Sequence, residues 1–292
     1  MTLKEKMEII PARPPFIGCG STYEEAKFVL FGAPFDSTVS FRPGARFASQ
    51  AMRTESAGIE TFSPYQNRDL EEISACDAGD LELPFGNAAR ALDEIESFVS
   101  RVLDDGKTPV MIGGEHLVTL GAARAAAIRH SGMAVVHFDA HADLRDDYMG
   151  EALSHATVMR RVWDILGDYG DDSIFQFGIR SGNKDEFEWG RGRVNTERFK
   201  ALNVGKAAEI ISGRPLYVTL DLDVLDPSGF PGTGTPEAGG LSFSELLDAL
   251  MKLSGKNIIG FDICELSPHY DTSGVSTATA CKILREMLIA FG

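Results

Sequence analysis

Met133-Ala-Val-Val-His-Phe138 runs directly into Asp139-Ala140-His141-Ala142-Asp143, and this stretch decides what kind of fold the chain requires. A short apolar, β-branched run bounded by polar residues reads as a buried strand. The aspartates and the histidine therefore stand where a strand ends. Further along, Pro215-Leu-Tyr-Val-Thr-Leu220 leads into Asp221-Leu222-Asp223 in the same way. Side chains alternate along a strand, so Asp139, His141 and Asp143 would share one side, as would Asp221 and Asp223, if the extended geometry continued through each cluster. A third junction joins Pro109-Val-Met-Ile112 to Gly113-Gly114-Glu115-His116 and a helical stretch, Leu117 to Arg129. Glycine lets the backbone approach its neighbours closely, which suits His116 to be a sixth metal-competent group beside the other five.

Four aspartates packed together raise one another's pKa and resist ionising together unless something positive neutralises them. No lysine or arginine lies within these clusters. A mixed carboxylate and imidazole set suits ions such as manganese better than thiolate-seeking metals. Four carboxylates balance two divalent ions, and such a pair, typically about 3.5–4 Å apart, lowers the pKa of a water shared between them. A lone Asp-x-His-x-Asp is usually a solvated loop or a single structural site, but two matched clusters at strand ends weigh against that reading.

Around these junctions strand-like and helix-like segments alternate. Strands are predicted at 27–32, 73–77, 109–112, 133–138, 173–179, 208–211, 215–220 and 257–262. In 87–104, Ala88, Ala91, Leu92, Ile95, Phe98, Val99, Val102 and Leu103 recur at helical spacing and define a buried face. Further helices are predicted at 155–169, behind a capping-box pair of Ser242 and Glu245, and at 277–290. This alternation is the signature of an α/β fold in which helices cover a mainly parallel sheet of about eight strands. Glycine- and proline-rich loops, Asp226 to Pro236 and Phe41-Arg-Pro-Gly44, are candidate pocket walls beyond the carboxyl ends of the strands. Gly-Thr-Gly at 232–234 follows no strand directly and is not a dinucleotide fingerprint.

The chain resembles the ureohydrolases, the family of arginases and agmatinases that splits guanidino compounds at a two-manganese centre. The matching residues are Gly-Gly-Glu-His at 113–116, Asp-Ala-His-Ala-Asp at 139–143, Ser-His-Ala-Thr at 154–157, Asp-Leu-Asp-Val-Leu-Asp-Pro at 221–227, and Glu265 within Asp-Ile-Cys-Glu-Leu-Ser-Pro. Phe41 to Arg46 and the Pro-Gly-Thr-Gly-Thr run at 231–235 extend the similarity over nearly the whole chain. The resemblance implies a single three-layer α/β/α domain over 1–292. It also implies one ion held by His116, Asp139, Asp143 and Asp221 and a second by Asp139, His141, Asp221 and Asp223, with two manganese ions per subunit and Asp143 counted among the catalytic residues. His155 matches the family histidine that relays a proton to the departing amine, for which an imidazole titrating near working pH is suited. Glu265 matches the carboxylate that receives the guanidinium, a planar cation that pairs with a carboxylate in a two-bond fork. His155 as a cap on the following helix is compatible with that role. The expected reaction is hydrolysis of a guanidino group to urea and a primary amine.

Substrate choice is expected from the loop behind the first cluster, Leu144-Arg145-Asp146-Asp147-Tyr148-Met149-Gly150-Glu151, which departs from the serine/threonine-rich loop of arginases and is similar to that of agmatinases. Asp146, Asp147 and Glu151 are candidate partners for the distal ammonium of agmatine, giving putrescine and urea. Arg145 would instead suit a carboxylate-bearing substrate such as guanidinobutyrate or formiminoglutamate, or form a surface ion pair. Aminopropylagmatine and arginine are further alternatives. A deacetylase-like amide hydrolase is disfavoured by the second ligand set and Glu265, and a non-catalytic polyamine-binding relative by the retention of all these groups together.

Composition agrees without discriminating. A length of 292 residues with 43% hydrophobic content supports one α/β core. The formal net charge of −15 argues against nucleic-acid binding. Cys19, Cys76, Cys264 and Cys281 are scattered, without a Cys-x-x-Cys pair or a secretory leader, and read as reduced thiols of a cytoplasmic protein. No apolar run approaches the length needed to span a bilayer. Met1 to Met7 is too charged for a leader and is expected to pack on a neighbouring subunit, the resemblance implying a homotrimer or homohexamer.

Overall fold

The computed structural model describes residues 9–167 and 172–292. The expectations for Met1–Met7 and for the last two residues of the predicted 155–169 helix fall outside them. In chain order the strands are β1 (Ile9–Ile10), β2 (Phe28–Ala33), β3 (Phe62–Ser63), β4 (Arg68–Asp69), β5 (Ala75–Leu81), β6 (Thr108–Gly113), β7 (Ala134–Phe138), β8 (Ile174–Ile179), β9 (Asn195–Arg198), β10 (Leu216–Asp221) and β11 (Ile258–Cys264). The helices are α1 (Ala48–Glu55), α2 (Ala88–Asp104), α3 (Thr119–Arg129), α4 (Val158–Leu166), α5 (Lys184–Gly190), α6 (Val204–Ile210), α7 (Phe243–Met251) and α8 (Val275–Phe291). Nine strands form the main sheet in the order β1-β5-β2-β6-β11-β10-β7-β8-β9, and β3 and β4 pair separately. Within the sheet only the β1–β5 pairing is antiparallel.

Both faces of this sheet are covered, which is why its central strands are continuous apolar runs rather than alternating ones. On one face Leu30, Ile112, Phe138, Leu220 and Ile263 pack with Met52 of α1, Ala207 of α6, Leu250 of α7 and Leu284 of α8. On the other, Phe31, Met111, Val135 and Tyr217 pack with Ile95 and Phe98 of α2, Leu120 of α3 and Val162 of α4. The expected three-layer α/β/α sandwich is thus built, with Phe31 and Phe98 in tilted ring contact across one layer, centroids 4.6 Å apart.

Several elements differ from the sequence expectation, the short strands β1, β3 and β4 among them. Residues 208–211 are not a strand: they end α6 and the turn behind it, because Val204, Ala207, Ala208 and Ile211 are buried at helical spacing against the sheet. The eighth parallel strand is β9, Asn195-Thr-Glu-Arg198, a polar edge strand with no apolar pattern to reveal it, held by its pairing to β8. The predicted 155–169 helix opens as a short 3-10 turn, His155–Thr157, before α4.

The strands β2, β6, β11, β10, β7 and β8 are consecutive neighbours and parallel, so the loops after each of them emerge along one edge and crowd together. Close approach is most severe at Gly114. A Cβ there would lie 1.9 Å from the carbonyl oxygen of Phe35 and 2.7 Å from its carbon, both immovable backbone atoms. Gly114→Ala is therefore expected to destabilise the fold by about 2 kcal/mol or more. Gly58→Ala, where an added Cβ meets nothing within 4 Å, should be near neutral. Thermal unfolding of the two variants checks the contrast, and equal melting temperatures would contradict it.

Candidate metal centre

Each acidic cluster begins where its strand is ended by an aspartate that turns the chain. The Asp139 carboxylate accepts the backbone N–H of His141 at 2.5 Å, and that of Asp221 accepts the N–H of Asp223 at 2.8 Å. This i to i+2 bond is the aspartate-headed turn, a side chain imitating backbone. The extended geometry expected through Asp143 consequently does not persist. Asp143 reaches the cluster with a left-handed φ of 54°, and Asp223 from a 3-10 turn over Leu222–Val224.

The side chains nonetheless converge. His116, entering from the loop after β6, has Nδ1 3.1 Å from Asp139, 3.2 Å from Asp143 and 3.4 Å from Asp221. His141 has Nδ1 2.9 Å from Asp223 and 3.5 Å from Asp139. The six predicted ligands are brought together: His116, Asp139 and Asp143 form one compact set with His137, Asp139, His141 and Asp223 form a second, Asp221 lies against His116, and all six but His141 are buried. Burial and the adjacent Asp139 push Asp143 up to about 7, and burial with Asp223 and Asp139 pushes Asp221 well above the carboxylate range. Asp139, despite its burial, is held well below that range by His137, His116 and His141. His116 and His141 resist the effect of burial and are held well above the ordinary histidine value by these carboxylates. Carboxylates pushed in opposite directions within one cluster express a demand for positive charge that two divalent ions would meet. Oxygen and imidazole donors, without a thiolate, fit such ions.

His137 is a member of this cluster that sequence reading missed. Its Nε2 lies 2.8 Å from Asp139, but it is not free to bind a metal. Gln176 donates its amide to the Ala142 carbonyl, and its oxygen accepts from Thr196, which settles the amide's orientation. The same amide nitrogen donates to His137 Nδ1 at 3.1 Å. His137 Nδ1 is thus an acceptor and Nε2 carries the hydrogen given to Asp139, in keeping with a ring that burial holds below the ordinary histidine value. The available signal was position: two residues before Asp139 on a strand, His137 lies on the same side.

Glu265 follows β11 with a φ of 66° and is buried. Its Oε1 accepts the backbone N–H of His116 at 2.8 Å, and burial and Glu115 push it up to about 8. Behind it, Glu115 accepts from Thr38 N–H at 2.8 Å and Thr38 O–H at 2.5 Å. Thr38 Oγ1 in turn accepts the His155 backbone N–H at 3.0 Å and lies 3.5 Å from the ring Nδ1, while Ser40 Oγ lies 3.4 Å from Nε2. Burial lowers His155 to about 4. It is therefore a neutral imidazole at neutral pH, not the ring titrating near working pH that the sequence reading expected. Ser154 also caps the turn at His155–Thr157, so the capping reading is met by Ser154 itself.

A cavity of about 310 Å³ opens onto these groups and is walled by Ser40, Arg145, Tyr148, Asn183, Glu186 and Thr235 among others. Thr235 comes from the Asp226–Pro236 stretch proposed as a wall, whereas the other wall residue, Ser40, immediately precedes the proposed Phe41–Gly44 stretch, none of which lines the cavity. Asp146, Asp147 and Glu151 are exposed and do not line it. Asp146 pairs outward with Arg161 at 2.8 Å and Arg160 at 3.5 Å, Asp147 accepts from the Gly150 N–H, and the backbone of Glu151 closes the turn with Tyr148. Besides Asp143, Asp221 and Glu265, the carboxylate that lines the cavity is Glu186, which accepts from Leu144 N–H, Asn183 N–H and Arg145 Nε. Arg145 lies over the Tyr148 ring, which meets His155 edge-on at 5.5 Å.

Two outcomes are expected from this geometry. NMR titration of the His155 ring should give a midpoint far below the ordinary value of about 6.5, because a lowered pKa means the folded protein resists protonating it until the pH falls towards 4. A midpoint at or above the ordinary value would contradict the burial. Asp146→Asn should leave kcat/KM close to wild type whereas Glu186→Gln should lower it, and steady-state kinetics that reverse this order would return Asp146 to the pocket.

Comparison with known proteins places this arrangement. The arginase family model matches residues 26–290. Agmatinase from Bacillus anthracis is 46% identical over 280 residues, covering 94% of this chain and 96% of its own length. Proclavaminate amidinohydrolase from Streptomyces clavuligerus is 38% identical over 275 residues, covering 90% of this chain and 87% of its own. The crystal structure of agmatine ureohydrolase from Thermoplasma volcanium superposes with a TM-score of 0.87 at 36% identity, covering 97% of this chain and 95% of that one.

Proposed function

The chain belongs to the arginase family, and from that premise we propose that it is an agmatinase, a ureohydrolase converting agmatine to putrescine and urea with two manganese ions. The observation that carries the reading is that His116, His141, Asp143 and Asp221 line one cavity together with Glu265 and His155, in a chain 46% identical to an agmatinase. His116, Asp139, Asp143 and Asp221 would hold one ion, and Asp139, His141, Asp221 and Asp223 the other. Bound there, the pair supplies Lewis acidity and a lowered pKa for a shared water.

The chain's own residues supply position and proton traffic. Glu265, tethered through Oε1 to the His116 backbone, receives the guanidinium, and the added positive charge favours its ionised form. Guanidinium is a poor electrophile because attack breaks its delocalisation, so clamping it beside the nucleophile lowers the barrier by proximity. His155, neutral at working pH, accepts a proton during the reaction and returns it to the leaving amine; Thr38 and Ser40 flank its two ring nitrogens. Glu186 and Tyr148 line the route taken by the distal part of the substrate. We propose further that the protein is a cytoplasmic homotrimer or homohexamer; no helix among the described residues is long and apolar enough to cross a membrane.

A second reading, guanidinobutyrate as substrate, is favoured by Arg145 on the cavity wall, since a guanidinium there suits a carboxylate. Its pairing with Glu186 offsets that charge.

Urea release by manganese-loaded protein across agmatine, guanidinobutyrate and arginine discriminates these readings; agmatine should give the highest kcat/KM, and a larger value for either acid overturns the substrate. Glu265→Gln should lower kcat/KM by about 1.5–3 kcal/mol or more, because the neutral amide cannot match the charge of the carboxylate. Metal analysis should find two ions per chain in wild type and in His155→Asn, with Asp139→Asn and Asp221→Asn losing both. Loss of manganese from His155→Asn would withdraw its assigned proton role.

A further inference from the structure

Behind the metal cradle lies a second buried carboxylate that no cation pairs with among the described residues. Asp262 of β11 sits opposite Thr219 of β10 in the parallel register. Its Oδ2 accepts the Tyr217 O–H at 2.8 Å and its Oδ1 the Thr219 O–H at 2.7 Å, with Cys264 Sγ 3.6 Å from Oδ1. Asp262, Thr219 and His116 are all fully or almost fully buried. The same Thr219 Oγ1 lies 2.9 Å from His116 Nε2 and 3.2 Å from Thr119 Oγ1.

Counting hydrogens gives this chain a direction. A threonine hydroxyl has one hydrogen and two lone pairs, and an ionised carboxylate only accepts. The Thr219 hydrogen goes to Asp262, so the contact with His116 must be made by a hydrogen on Nε2. The carboxylates Asp139, Asp143 and Asp221 draw a second hydrogen onto Nδ1, and a cation that displaces this hydrogen meets the Nδ1 lone pair while Nε2–H stays on Thr219. Run the other way, with Thr219 donating to Nε2, the hydrogen would sit on Nδ1 and block it. A ring nitrogen anchored to an outer carboxylate in this manner keeps its orientation and gains basicity at the other nitrogen.

We infer that Asp262 and Thr219 are positioning residues that lock the ring and tautomer of His116, presenting its Nδ1 lone pair to the cation held with Asp139, Asp143 and Asp221. The inference rests on the metal reading of this cluster and not on the identity of the guanidino substrate. A purely structural network of satisfied polar groups would affect stability when broken but would leave the affinity of the folded protein for metal unchanged.

Calorimetric titration of metal-stripped protein with manganese tests it. Wild type should take up two ions. Thr219→Val, close in shape but without the hydroxyl, should bind one of the two about 10- to 100-fold more weakly, Asp262→Asn should weaken the same ion, and Thr219→Ser should bind as wild type does. Ring nitrogen shifts from ¹⁵N NMR of wild type loaded with diamagnetic zinc should report hydrogen on Nε2. That measurement needs no variant and stands even if Thr219→Val does not fold. Folded Thr219→Val with both affinities native, or wild type with hydrogen on Nδ1, overturns the positioning role alone. Wild type that takes up no manganese overturns the metal reading and the positioning role together.

Discussion

The rest of the molecule is organised around the repulsion among four aspartates held within one small volume. Asp139, Asp143, Asp221 and Asp223 come from two neighbouring strands, β7 and β10, and from the turns behind them. In water such charges would disperse. Here the strands are pinned by helices on both faces, and the clusters cannot move apart without disrupting the sheet. Burial and that repulsion push Asp221 up, whereas His137, His116 and His141 hold Asp139 down, an arrangement that further positive charge would relieve.

Around that centre the protein uses hydrogen bonds of defined polarity rather than further charge. His137 is oriented by Gln176 and Thr196 towards Asp139, and His116 by Thr219 and Asp262 towards the other ligands. Glu265 hangs from the His116 backbone, and Glu115 holds Thr38 against His155. Each of these bonds runs between loops or strands that are distant in sequence, so the sheet is what allows the site to be rigid. The glycine at 114 belongs to the same economy: only a residue without a Cβ lets the His116 loop lie on the Phe35 backbone.

Much of the centre was legible in the sequence because the chemistry is written locally. Asp139-Ala-His-Ala-Asp143 and Asp221-Leu-Asp223 carry five donors in two short segments, each directly behind a β-branched apolar run that reads as a buried strand. Buried strands, the α2 stripe and the Ser242–Glu245 cap were equally local. The polar edge strand β9 was not, because nothing in Asn195-Thr-Glu-Arg198 distinguishes it from a loop until β8 pairs with it. Residues 208–211 were misread for the converse reason: a short apolar run is compatible with strand or helix, and packing against the sheet selected the helix.

The amino-acid order by itself determined the fold class and the gathering of six candidate metal donors at strand ends, which follow from a few consecutive residues and from periodicity, whereas the roles expected of Glu265 and His155 came from the family resemblance. Tertiary structure alone decided which carboxylate faces the cavity. Asp146, Asp147 and Glu151 lie beside the motif in sequence but turn to solvent and to Arg160 and Arg161, while Glu186, carried in on α5, lines the pocket. It also decided the state of His155, since the burial that lowers it comes from loops gathered after separate strands. Direction and burial of a side chain depend on what the rest of the chain packs against it, and no local pattern records that.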